Sequence, residues 1–294
     1  MKEVVVISGK GGTGKTSIVA SFAALAERKI LVDCDVDAAD LHLVLNPRID
    51  RRESFSGGKK AFIIEDRCTG CGRCLEVCRF EAVSCIPGPG EHDRFSVDPI
   101  SCEGCGLCSR ICPAGAIHFD PVVSGQWFIS STVYGPMAHA KLGIAQANSG
   151  KLVSLLRREA RNIAAEGGFN LLIADGSPGI GCPVIASITG ADLVVAVTEP
   201  TCSGFHDVQR VVDLASHFRI PVMLCVNKWD IHPEMTDRIE RETGKRGVRM
   251  GGRIRYDPAV TKAQILKTTV IEYTGGAISV DIQALWRNVV YALG

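Results

Sequence analysis

The sequence predicts an α/β protein, a mostly parallel sheet flanked by helices and interrupted by a small α+β insert. Three observations carry this. A glycine-rich loop, Gly9-Lys10-Gly11-Gly12-Thr13-Gly14-Lys15-Thr16, joins the apolar run Val4-Val5-Val6-Ile7 to a helix-forming stretch from Ser17 to Ala26, so a buried strand feeds a helix through a phosphate-binding loop. Strand-length apolar runs at 29–33, 169–174, 191–197 and 220–226 alternate with helical segments, and such alternation builds a parallel sheet. Between about 61 and 121 there is no long helix-period segment, and nine of the thirteen cysteines fall there, eight of them in two spaced runs.

The loop comes first, and its chemistry follows from its residues. Glycines let consecutive backbone N–H groups turn onto phosphate oxygens, and the helix N-terminus adds its positive dipole end. Lys15 can reach the outer phosphates and the Thr16 hydroxyl can ligate Mg²⁺. Gly11, Gly12, Thr13, Gly14, Lys15, Thr16 and Ser17 are the candidate nucleotide contacts, and Lys10 is a second lysine near the start of the loop. The next strand runs into Asp33-Cys34-Asp35-Val36-Asp37. Acids at the carboxyl end of a neighbouring strand face the crevice where Mg²⁺ and a terminal phosphate sit. Asp35 is the candidate for holding a Mg²⁺-bound or attacking water. Asp37 and Asp40 suit that role and the role of turn or N-cap residues equally.

From Arg48 to Lys60 the chain turns polar and glycine-bearing, which predicts a boundary. The insert shows only short β-like pieces at 62–64, 95–97 and 117–119 around its cysteines. The α/β pattern resumes at Gly125, with a helix-period stretch from Leu152 to Ala165 and a strand ending at Asp175. The expected domains are therefore 1–60 with 122–294, and an insert at 61–121. A net charge of +1 over 294 residues gives no global reason to expect nucleic acid. No apolar run is long enough to cross a bilayer and the first residues enter a strand directly, so a cytoplasmic location without a leader peptide is expected. In a reducing compartment so many cysteines point to metal rather than to disulfides.

Cys68-x2-Cys71-x2-Cys74-x3-Cys78 recurs as Cys102-x2-Cys105-x2-Cys108-x3-Cys112-Pro113, and Ala82-Val83 recurs as Ala116-Ile117. This duplication resembles bacterial two-cluster ferredoxins, in which three thiolates of one run cap one cubane and the fourth reaches the other. The resemblance implies one [4Fe–4S] cluster on Cys68, Cys71, Cys74 and Cys112, and another on Cys102, Cys105, Cys108 and Cys78. Zinc in paired Cys-x2-Cys sites explains neither the third cysteine of each run nor the repeat. Arg79 stands where such ferredoxins carry the proline that the second run keeps, which puts equal cluster potentials in doubt.

The segment Lys10 to Thr16, with Asp33-Cys34-Asp35 and Asp175-Gly176-Ser177-Pro178-Gly179-Ile180-Gly181, resembles the MinD/ParA group of P-loop ATPases with the deviant Walker A loop. More narrowly, it resembles the subgroup with an inserted ferredoxin domain, over essentially the whole chain. The resemblance implies a P-loop NTPase fold, ATP and Mg²⁺ as cofactors, and a homodimer in the ATP state in which Lys10 reaches the other copy's nucleotide. It implies catalytic roles for Lys10, Lys15, Asp35 and Asp175, the last as a Walker B carboxylate. Pro178 and Gly179 match a switch II segment, where a backbone N–H contacts the γ-phosphate.

Asn227-Lys228-Trp229-Asp230 fits two patterns. GTPases read guanine with Asn-Lys-x-Asp, and MinD-like ATPases place an Asn there to hydrogen-bond adenine; whole-chain resemblance favours ATP, with Asn227 and Lys228 as contacts. Gly252 to Asp257 resembles the segment that closes over the base, with Arg255 in place of the usual proline.

Cys182 lies near the place of a cluster cysteine in the nitrogenase iron protein, but 135–151 contains no second cysteine, so a small buried thiol is expected. Cys225 reads as core. Lys245, Arg246, Arg249, Arg253 and Arg255 read as a solvated or partner-docking patch, with nucleic acid the lesser alternative. Ile282, Trp286, Val289, Val290 and Leu293 read as the core face of a last helix, because the single cation Arg287 cannot make a membrane-seeking basic face.

Together these imply a slow, partner-stimulated ATPase, a homodimeric switch gating two [4Fe–4S] clusters. It would pass electrons, a metal or a cluster to an unidentified redox, metal-cofactor or division-related protein. The alternative is a MinD/ParA-like spatial-positioning or cell-division ATPase whose clusters sense redox state or staple the fold. A third, a GTP-dependent metallochaperone, follows from the Asn-Lys-x-Asp run.

Overall fold

The computed structural model describes residues 1–87, 93–143 and 149–294. The chain divides into two compact units, Met1–Glu53 with Trp127–Lys141 and Ser149–Gly294, and Ser54–Gln126 with Leu142–Asn148.

In the first unit β1 (Lys2–Ser8) is buried from Glu3 onward. The helix α1 (Lys15–Leu25) opens at Gly14, whose φ of 87° is left-handed and whose Cβ, if present, would lie 2.3 Å from Asn227 Nδ2. Only glycine meets both demands. Helix α1 is apolar on nearly every side and is covered accordingly, with the Phe22 and Trp286 ring centroids 4.8 Å apart. Then come β2 (Lys29–Asp33), buried throughout, and α2 (Leu41–Leu45).

The polar stretch expected to be a boundary holds the division between the units, at Glu53 and Ser54, but it is not a loop there, because its first part forms a strand, β3 (Arg48–Phe55). It is the last strand of its sheet and exposed along most of its length, so it carries no alternating apolar signal. Its charges serve the edge: Arg48 pairs with Asp50 at 3.3 Å, and the Arg51 guanidinium lies 4.9 Å from the Trp127 ring centroid. Charged edges discourage pairing with other chains.

The second unit contains β4 (Gly58–Ile63), α3 (Arg73–Glu76), β5 (Val83–Ile86), β6 (Arg94–Val97), α4 (Leu107–Ile111) and β7 (Ile117–Val122). β4 pairs antiparallel with β7, and β5 with β6. Each cysteine run thus leads through a short helix into a strand. This compact unit begins at Ser54 rather than 61, because β4 opens at Gly58 and is paired to Val122 on β7.

The remaining elements are β8 (Gly125–Thr132), β9 (Gly135–Leu142), α5 (Ser149–Gly167), β10 (Leu171–Pro178), α6 (Cys182–Ile188), β11 (Leu193–Thr198), α7 (Cys202–His217), β12 (Val222–Asn227), α8 (Pro233–Gly244), β13 (Arg249–Ile254), α9 (Ala259–Ile265), α10 (Val270–Tyr273) and α11 (Ala277–Leu293). The nine-stranded sheet runs β13-β12-β11-β1-β10-β2-β9-β8-β3. Every pairing from β13 to β9 is parallel, so the first unit is an α/β fold with a mostly parallel sheet flanked by helices. Its core joins α1 and α11 to the sheet strands. On α11, Ile282, Trp286, Val289 and Leu293 are buried, whereas Val290 is 49% exposed, one position, and so about 100°, round the helix from Val289. No helix among the described residues is long and apolar enough to cross a membrane.

Two buried polar groups stitch this unit. Glu3 accepts from Arg157 Nε at 2.7 Å, and Arg157 Nη1 donates to the Ala186 and Thr189 carbonyls at 2.6 and 2.8 Å, so an arginine of α5 satisfies the end of α6. His139 shares a 2.8 Å hydrogen bond with Ser130 and stacks on Phe128. Burial, with His42 nearby, pushes its imidazole from 6.5 down to about 4. Because the native ring refuses a proton that the unfolded chain accepts, stability is full above about 6.5 and falls as pH drops toward about 4. His139→Gln should remove on the order of 1–3 kcal/mol of that acid loss, read as a shallower fall in urea-unfolding free energy between pH 7 and 4.5; parallel curves would refute the assignment.

Candidate functional site

The carboxyl ends of β1, β2 and β10 meet at one crevice, as parallel α/β sheets arrange it. Lys15 Nζ lies 2.8 Å from Asp175 Oδ1 and 3.3 Å from Asp35 Oδ2, while Thr16 Oγ1 donates to Asp175 Oδ2 at 2.7 Å. Asp33, fully buried, accepts from the Asp35 and Leu41 N–H groups at 3.1 and 3.2 Å and so shapes the turn that presents Asp35. Sequence reasoning treated Asp33 only as part of a motif; this bracing role comes from the fold.

Burial alone would lower the Lys15 pKa, but Asp175 and then Asp35 outweigh it, so the ammonium stays charged. Asp33 is raised well above the usual carboxylate range, chiefly by burial and next by Asp175, and burial also raises Asp35 against the pull of Lys15. Burial and mutual repulsion thus disfavour the charged forms of Asp33 and Asp35, and a divalent cation bound in the crevice would favour them.

A cavity of about 660 Å³ opens here, lined by Gly11, Gly12, Thr13, Gly14, Lys15, Thr16, Ser17, Asp35, Asp40 and Pro178. Ser8, Leu43, Val44, Gln264 and Ile265 also line it, and the sequence had not singled them out; Gln264 arrives because its Nε2 donates to Ser17 Oγ at 2.9 Å. Asp37 is exposed and does not line the cavity. Thr13 Oγ1 is buried and has no hydrogen-bond partner among the described residues, the condition of a hydroxyl shaped to meet a ligand oxygen.

Other predicted residues stand behind or beside the cavity. Asn227 Nδ2 donates to the Thr13 carbonyl at 2.8 Å, so it braces the loop. Gly179 N–H donates to Ser8 O at 2.8 Å. Lys228 donates to Glu199, and Lys10 Nζ lies 3.3 Å from Glu199 Oε2. Asp230 Oδ1 accepts the Tyr256 N–H at 2.7 Å. Arg255 is engaged by Asp281 at 2.6 Å.

All thirteen cysteines are free. Cys68, Cys71, Cys74 and Cys112 line a narrow cavity with Phe95, Ala116 and Ile117, and Cys112 Sγ accepts the Ala116 N–H at 3.3 Å. The Cys108 thiol is raised chiefly by burial, and the neighbouring Cys102, Cys105 and Cys78 raise it further. Among the described residues no group of three or more His, Cys, Asp or Glu forms a metal-ion site. Cys225 is buried, but Cys182, expected to be buried, is exposed, because it opens α6 directly after the 178–181 loop. Four of the five cations of the basic run are ion-paired: Lys245, Arg253 and Arg255 with Glu242, Glu240 and Asp281, and Arg246 with Asp213.

The CobQ/CobB/MinD/ParA nucleotide binding domain family matches residues 4–270. An uncharacterized protein of Methanocaldococcus jannaschii is 34% identical over 230 residues, 77% of this chain and 78% of that one. Among solved structures, the septum site-determining protein MinD of Pyrococcus horikoshii, complexed with Mg-ADP, superposes with a TM-score of 0.58 at 14% identity, covering 98% of this chain and 95% of that one. The MinD cell division protein of Aquifex aeolicus gives 0.56 at 17%, covering 99% and 97%.

The double use of Asp175, on Lys15 and on Thr16, yields an expectation. Asp175→Asn should shrink the gain that Mg²⁺ brings to ADP affinity at least tenfold, measured by calorimetry with and without Mg²⁺; an undiminished gain would remove Asp175 from the metal's surroundings.

Proposed function

The chain belongs to the CobQ/CobB/MinD/ParA nucleotide-binding family, and on that premise we propose that it is an ATP-hydrolysing homodimeric switch whose second unit carries two [4Fe–4S] clusters. One observation supports the hydrolase most directly: Lys15 is clamped by Asp35 and Asp175 beside Thr16, at the floor of a glycine-lined cavity. In this reading the loop amides, Lys15 and the Lys10 of the other copy neutralise charge on the transferred phosphoryl. Asp35 orients the attacking water, and Asp175 with Thr16 would hold Mg²⁺, which supplies further charge neutralisation when bound. Pro178 borders the cavity and Gly179 ties that turn to Ser8, so a change at the phosphate end can be felt along the turn.

The second unit fits the clusters by its donor chemistry. Cys68, Cys71, Cys74 and Cys112 share one cavity although Cys112 belongs to the other run, as the crossed ligand sets require. Cys102, Cys105, Cys108 and Cys78 form the second set. Thiolates of a cubane each cap a different iron, so the reading needs no single-ion clasp.

For the biological role, the likeness in fold to cell-division MinD structures favours the positioning or division reading over electron transfer, with the clusters as redox sensor or staple. The cysteine cavity keeps cluster gating as the competing reading. Measuring whether cluster reduction changes the ATPase rate, and whether ATP shifts the cluster potential, separates them, since linkage makes any such equilibrium coupling reciprocal. Guanine reading would draw on both carboxylate oxygens of Asp230, one of which already accepts the Tyr256 N–H, and this weighs against it.

Lys10→Ala should abolish ATP-dependent dimerisation while anaerobically purified protein keeps about eight irons per chain; iron loss would show that the two units are not independent. Cys112→Ser should bring the iron count down to about four, and an unchanged count would reject the crossed ligand set.

A further inference from the structure

Glu199 follows β11 directly and was not singled out by the sequence. Its Oε2 lies 3.3 Å from Lys10 Nζ, its Oε1 accepts from Lys228 Nζ, and Lys10 also reaches Ser203 Oγ at 3.4 Å. Lys228 is held in turn, its N–H donating to Asn227 Oδ1 at 3.0 Å, while Asn227 Nδ2 grips the Thr13 carbonyl at 2.8 Å. One carboxylate therefore ties the lysine at the start of the loop to the residues that brace the loop's middle.

We propose that Glu199 is a positioning residue that keeps Lys10 within its own chain and so sets how much ATP the dimer needs. This rests on the dimer reading above. A lysine committed to another copy's phosphates must first leave Glu199, so the internal pair competes with the intermolecular one. The carboxylate can release it without being stranded, because Lys228 stays on the other oxygen of a side chain only 16% exposed. With the Lys10 side chain 33% exposed, screening keeps the pair weak, and its effect on the equilibrium should be about threefold. A brake of that size tunes the switch without locking it.

The test is sedimentation velocity across a series of concentrations of a non-hydrolysable ATP analogue. Glu199→Gln should reach half-maximal dimer at about one third of the wild-type concentration, and Glu199→Asp, too short to span both lysines, should move the same way. A midpoint that is unchanged or raised in both variants, while the wild type dimerises, overturns the latch alone. Failure of the wild type and both variants to dimerise overturns the dimer reading and the latch with it. In a Lys10→Ala background Glu199→Gln should leave nucleotide affinity unchanged; a matching gain there would place Glu199 in the nucleotide pocket and reject the latch.

Discussion

Lys15 sits between Asp35 and Asp175 with almost no water around it, and much of the first unit is arranged to make that possible. A buried ammonium is tolerable only with carboxylates at hydrogen-bond distance. Those carboxylates must come from strand ends brought side by side, which parallel pairing of β1 with β10 and of β10 with β2 provides. The register aligns Asp175 with Asp33 across β10 and β2, so acids far apart in sequence meet at one lysine. Burial and mutual repulsion raise Asp33 and Asp35 even beside that ammonium, a strain that a bound divalent cation would relieve.

The second unit works on a different physical basis. Its strands are short, its two-stranded sheets are small, and few large apolar side chains are fully buried in it. Such a unit gains much from a group that cross-links its two halves. Cys112 contributes to the cavity formed by the first cysteine run, which ties one half of the repeat to the other. In the proposed reading the clusters would hold the unit together as well as carry charge, and both possible roles follow from that one arrangement.

The resting arrangement around Lys10 adds a layer of control that motif matching does not see. The same turn that follows β11 supplies Glu199 and the start of α7, so the chain that brings Ser203 beside Lys10 also brings the carboxylate. Electrostatic pairs of moderate exposure are weak, and weakness suits a contact that has to be exchanged.

The phosphate loop, the central strands and the repeated cysteine runs were legible because each is a local pattern: a strand feeding a Gly-rich turn, buried apolar runs of strand length, thiols at fixed spacing. Strand β3 was not legible, because an edge strand exposed along most of its length carries polar residues that read only as a boundary. The exposure of Cys182, the bracing role of Asp33, the arrival of Gln264 at Ser17 and the occupation of Asp230 by Tyr256 likewise lie outside any local pattern. By itself the sequence determined which residues are chemically able to meet phosphate or, in the proposed reading, iron, since that is a matter of side-chain chemistry and spacing. Only the tertiary structure decided which charges meet, because partners such as Lys10 and Glu199 are chosen by the order of strands in the sheet, and that order is set by packing over the whole chain.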